Sequence, residues 1–145
     1  MKDPTHPTDA GCTGALNVAL GFAGLAVAAL GGLALGATFD QFAVRNGDHV
    51  LSLTRFFLRE GHSHGMPIAL YNLVLGLSLA HWIEGAMARK VASLGAALGF
   101  LLPIGLVLRV LVGPQLALVG MLGALGLLVS FSVGLCGAWR RVSKR

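Results

Sequence analysis

Apolar residues fill the chain in long runs, and the polar stretches between them mark where each run begins and ends. Residues 1–13 are polar and interrupted by Pro4 and Pro7, which predicts a short tail. Residues 14–38 carry no charge, and a helix of that length crosses a hydrocarbon core of roughly 30 Å. The run is longer than the apolar region of a signal peptide, and Asp3 and Asp9 precede it, so a retained span is predicted.

Residues 39–64 form the long polar interruption. Within it Val50, Leu51, Leu53, Thr54, Phe57 and Leu58 recur at helical spacing against Asp48, Ser52, Arg55 and Arg59. That pattern predicts an amphipathic helix lying in the membrane interface. Further spans are predicted over about 66–87, 91–112 (with Pro103 inside) and 115–139. Gly113-Pro114 makes a tight turn, so spans three and four are antiparallel neighbours. The expected fold is an all-α integral membrane four-helix bundle, a single membrane domain over 1–145, with the amphipathic helix between spans one and two.

Composition agrees. Of 145 residues, 55% are hydrophobic and 12% charged, and the mean hydropathy is +0.77. A soluble domain carries about 25% charged residues, so this chain has too few to cover a water-facing surface. The net charge of +5 gathers at the C-terminus in Arg140, Arg141, Lys144 and Arg145. A basic tail abutting an apolar span reads as an anchor on anionic lipid; no nucleic-acid motif accompanies it. Lys2, Arg89, Lys90 and the four tail cations lie beside one set of span ends. Arg45, Arg55, Arg59 and Arg109 lie beside the other, mixed with Asp40, Asp48 and Glu60. By the positive-inside rule both termini are cytoplasmic and 39–64 faces the periplasm of a bacterial inner membrane. Cys12 and Cys136 give no disulfide framework, and no apolar run precedes Cys12 to make it a lipoprotein site.

Twenty-one glycines let helices approach closely, either within the bundle or against another membrane subunit or a second copy of the chain. The richest chemistry lies at the entry to span two, in Glu60-Gly61-His62-Ser63-His64-Gly65-Met66-Pro67. Two imidazoles, a carboxylate and a thioether are donors for copper, zinc or iron, and a glycine-flanked turn would bring them to one ion. His49 is a candidate third imidazole. Farther along, His64, Tyr71 and Ser78 fall on one face beside Asn72. Such a stripe lines a path, hydrogen-bonds a bound macrocycle, or ties helices together. Arg109 sits near the outer boundary, where it snorkels, pairs with Glu60 or Asp48, or holds an anionic group such as a haem propionate. Spans one, three and four contain no histidine, and no complete catalytic set appears.

Gly-His-Ser-His-Gly opening an apolar span that carries Asn72 resembles the histidine-bearing spans of small membrane proteins related to haem–copper oxidase subunits. The resemblance covers about a dozen residues and implies a haem or copper ligand role for these histidines. Together these features predict a small accessory subunit of a larger, energy-transducing membrane complex. It would carry a metal, haem or pigment site at the outer end of span two, with Tyr71, Asn72 and Arg109 as cofactor contacts. The alternative is an oligomeric channel or transporter with its polar path along span two.

Overall fold

A backbone surrounded by hydrocarbon has to satisfy its own N–H and C=O groups, and the helix does this within a single segment. In the computed structural model, which describes the backbone of residues 9–38 and 53–144 and the side chains of 14–38 and 55–144, the apolar runs are helices. They are α1 (Asp9–Ala37), α2 (Leu53–Trp82), α3 (Ala86–Leu98), α4 (Leu101–Leu111), a 3-10 turn (Pro114–Leu116) and α5 (Ala117–Val142). His49 and most of the predicted amphipathic pattern before Leu53 lie outside the described residues. α1 starts within the expected tail.

Three stretches are long and apolar enough to cross a membrane: Gly14–Ala37, Ala86–Leu111 and Pro114–Val142. They match predicted spans one, three and four. α2 does not reach that standard, so three of the four expected spans are seen. Its first half carries Arg55, Arg59, Glu60, His62 and His64, and its second half carries Asn72.

α2 brings a correction. The interfacial helix and span two are not separate elements; one helix of 30 residues runs from Leu53 to Trp82, about 45 Å at 1.5 Å per residue. Gly61 and Gly65 do not make a turn. They lie where neighbouring helices come close: a Cβ on Gly61 would stand 2.9 Å from Val107 Cγ2, and one on Gly65 would touch Pro103 and Ala28. Among the described residues only Gly85 (φ 88°) and Gly113 (φ 149°) have positive φ. Both mark chain reversals, before α3 and before the 3-10 turn.

Predicted span three is divided at Gly99–Phe100. Pro103 has no N–H to offer the Gly99 carbonyl, and that carbonyl instead accepts from Leu102 N at 3.0 Å. Proline is tolerated there because it lies in the first turn of α4, where amides lack helical partners anyway.

α1 and α2 pack antiparallel along nearly their whole length, Gly14 against Gly76, Gly24 beside Ala69, Gly32 against His62. α5 runs antiparallel to the α3–α4 pair, with Gly126 against Gly95, Gly123 against Leu102 and Gly120 against Gly105. α2 lies between the two pairs but touches α5 only sparingly.

At Gly105 and Gly123 an added Cβ would run into the backbone of the facing helix. Gly105→Ala and Gly123→Ala are each expected to destabilise the bundle by about 1–3 kcal/mol. At Gly134 nothing lies within 4 Å of the added atom, so Gly134→Ala should be neutral or stabilising by up to about 1 kcal/mol. Unfolding in mild detergent by increasing fractions of denaturing detergent reads all three.

Candidate functional site

Toward the end of the bundle that carries the α2–α3 turn, polar side chains of three helices converge. Asn17 of α1, Asn72 of α2 and Ser93 of α3 are almost wholly inaccessible. Asn17 Nδ2 donates to Asn72 Oδ1 at 2.7 Å and to the Ser93 carbonyl at 3.2 Å. Ser93 Oγ donates to Asn17 Oδ1. Asn72 Nδ2 donates to the carbonyls of Ile68 at 3.0 Å and Ala96 at 2.9 Å. All four amide N–H groups and both amide oxygens are therefore bonded. At the middle of α5, Ser130 Oγ donates to the Ala92 carbonyl at 2.7 Å. That uses the serine proton, so the Tyr71 hydroxyl is the donor in its 2.7 Å bond to Ser130 Oγ. The Tyr71 ring also packs edge-on against Phe131. Carboxamides and a serine with no base beside it supply neither a nucleophile nor an acid near neutral pH. The cluster ties α1, α2, α3 and α5 together.

The opposite end, where α1 finishes and α2 begins, is built differently. Arg55 is buried, and its guanidinium donates to the Leu35 carbonyl at 2.8 Å and to the Thr38 carbonyl and hydroxyl at 3.3 and 3.2 Å. It caps the last carbonyls of α1 and places a cation where the helix dipole is negative. Arg109, exposed at the end of α4, lies 4.8 Å over the Phe57 ring, so its partner is aromatic rather than Glu60. Glu60 stands 3.6 Å from Arg59 and 3.7 Å from His64 Nδ1, and that same nitrogen is 2.8 Å from the Glu60 carbonyl.

His62 and His64 do not meet. Two residues on a helix are separated by about 200°, so the rings leave opposite faces of α2. His62 lies against Gly31 and Gly32 of α1, and its Nδ1 is buried without a hydrogen-bond partner. His64 is exposed, as is Met66. Among the described residues no three His, Cys, Asp or Glu side chains are grouped closely enough to hold a metal ion. Ser78, the last member of the predicted stripe, bonds back to the Val74 carbonyl at 2.7 Å.

At the opposite end Glu84 joins the α2–α3 turn to the end of α5 through Lys144, with Nζ 3.1 Å from both carboxylate oxygens. This bond, and the Lys144 charge with it, holds the Glu84 carboxyl below its ordinary range. Any stabilisation it gives is present at neutral pH and lost as pH falls through the lowered value. Because the pair is exposed, the contribution is small.

Asn17, Ser93 and Ser130 are the interior residues that the pattern of titratable groups passes over. Asn17 had a signal: it is the one carboxamide in an otherwise uncharged apolar run. No protein-family model, curated protein or solved structure matches the chain.

Asn17→Leu and Asn72→Leu are each expected to cost about 1–3 kcal/mol, because each leaves buried partners unsatisfied. The double variant should cost clearly less than the sum, with a coupling of about 0.5–2 kcal/mol, since it removes both halves of a shared bond. Strict additivity in an unfolding cycle would rule out the shared network.

Proposed function

We propose that the chain is a small, non-catalytic accessory subunit of a larger, energy-transducing membrane complex in a bacterial inner membrane. The observation that carries this reading is the closed internal hydrogen bonding. Asn17, Asn72, Ser93, Tyr71 and Ser130 are paired with each other and with backbone carbonyls, so what the protein offers to others is its outer surface. The same pairing interrupts any polar path along α2 and favours a scaffold over a pore. The energy-transducing assignment rests on the resemblance of Gly-His-Ser-His-Gly to the oxidase-related spans.

In this reading α2 crosses the bilayer beside α1 in spite of its modest apolarity. Support comes from the register: residues 55–76 lie alongside residues 14–38 from one end to the other. An even number of crossings puts both termini on one side. Arg89, Lys90, Arg140, Arg141 and Lys144 share that side, which makes it the cytoplasmic one. Copper, zinc or haem at the outer end would receive one imidazole from this chain at a time, His62 or His64. The remaining ligands would come from His49, a partner or a second copy.

Two measurements test the proposal. Gently solubilised native membranes, resolved by native electrophoresis, should show the chain migrating with other membrane proteins; a lone particle conducting ions in proteoliposomes would favour the channel instead. For the crossings, single cysteines at Arg59, Glu84 and Ser143 in a background lacking Cys12 and Cys136 are probed with an impermeant maleimide. Positions 84 and 143 should label from one face and position 59 from the other. Labelling of 59 and 84 from the same face would mean that α2 does not cross.

A further inference from the structure

The sparse contact between α2 and α5 leaves a groove of about 360 Å³ open to the side of the bundle. Its walls are apolar, with Val74, Leu75 and Trp82 on one side and Phe131 and Leu135 on the other. The groove follows three turns of α2 from Tyr71 to Trp82, about 16 Å, which is room for a hydrocarbon chain lying along it. On α5 the groove floor runs through Gly134 and Ala138. Arg141 follows at the next position on that face, by the i, i+4, i+7 spacing of a helix.

Arg141 has a second distinguishing feature. The buried side-chain nitrogens lacking a partner among the described residues are His62 Nδ1, Arg89 Nε and Arg141 Nε. Two of these three belong to the basic end. Arg89 stands one turn before Ala92, the residue whose carbonyl accepts from Ser130. Around them lie Lys90, Arg140 and Lys144, and the acidic side chain described at this end, Glu84, is taken by Lys144. A neighbouring groove of about 290 Å³ on the other flank of α5 has both Glu84 and Arg140 in its wall, so a carboxylate there offsets the cation.

We infer that the α2–α5 groove is a binding site for one anionic phospholipid, its acyl chain along the groove and its phosphate on Arg141 at the rim. Guanidinium groups are the side chains best matched to phosphate oxygens, and basic pockets between helices on the cytoplasmic side select anionic headgroups. Trp82 at the mouth suits the boundary between chain and headgroup. The inference needs the chain to lie in a bilayer, but it stands whether or not a protein partner exists.

The test uses the full chain in nanodiscs of equal parts phosphatidylcholine and phosphatidylglycerol, released into mild detergent and weighed by native mass spectrometry. One phosphatidylglycerol should remain bound in preference to phosphatidylcholine. Arg141→Gln should lower its retained fraction about fivefold, the effect of one basic residue at a membrane surface, while Arg59→Gln at the opposite end should not. Gly134→Phe fills the groove at a position with open space, so it should abolish retention while helix content and melting temperature hold. Equal retention of both lipids, or undiminished retention in Arg141→Gln or Gly134→Phe, would overturn the site. A rise in melting temperature from inorganic phosphate matching that from phosphatidylglycerol would reduce it to an anion site without the groove.

Discussion

A carboxamide held in hydrocarbon carries two donors and an acceptor that water cannot reach, and leaving them unpaired costs several kcal/mol. The bundle places two such groups, Asn17 and Asn72, in its interior and pairs them with each other, with Ser93, two α3 carbonyls and the Ile68 carbonyl completing the set. Apolar side chains in lipid can slide past one another at little cost. These amides cannot, because a shift of one residue turns an asparagine by about 100° and out of reach of its partners. The hydrogen bonds thereby fix the register of α1, α2 and α3, and Tyr71 with Ser130 extends the same constraint to α5.

Once register is fixed, close approach becomes useful. Lipid tails are as apolar as leucine, so helices gain little from hiding side chains from each other and gain mainly from contact. Gly14 and Gly76 meet so closely that a Cβ on either would stand 2.6 Å from the other's carbonyl oxygen. Arg55 holds the far end of that same α1–α2 pair by capping α1 with a buried guanidinium. The pair is thus secured by the amides and, one turn away, the glycine contact toward one end, and by a charged cap at the other. α2 and α5 meet at two separated places, Tyr71 on Ser130 and Phe131 and the end of α2 at Trp82 on Gly137, and the groove opens between them.

Much of this is legible in the sequence, because hydropathy and length are enough to outline spans one, three and four. The Gly113-Pro114 reversal is equally plain, since proline and a positive-φ glycine leave the chain few alternatives. Two things are harder to read. A glycine between polar residues looks the same whether it makes a turn or admits a neighbouring helix; Gly61 and Gly65 admit Val107 and Pro103, and those contacts come from a distant part of the chain. Serine and asparagine in apolar runs carry no charge and form no motif, so Ser93 and Ser130 stand out only once the helices are packed. Asn72 draws notice on the grounds that polar groups avoid lipid, and the same reasoning applies equally to Asn17.

The histidine pair shows how far local geometry decides chemistry. In a turn, His62 and His64 would be a chelating couple; in a helix, ligands converge only at spacings of three or four. Continuity of α2 through Gly61 and Pro67 therefore separates them, one against the glycines of α1 and the other outward beside Glu60. That continuity is itself a product of packing, because Gly61 and Gly65 let α4 and α1 approach the helix where a larger residue would push them off. The same two glycines that make the motif look like a metal-binding loop are what allow it to be a buried helix face. Among the described residues, His62 and His64 therefore present one imidazole at a time, each fixed on a long helix.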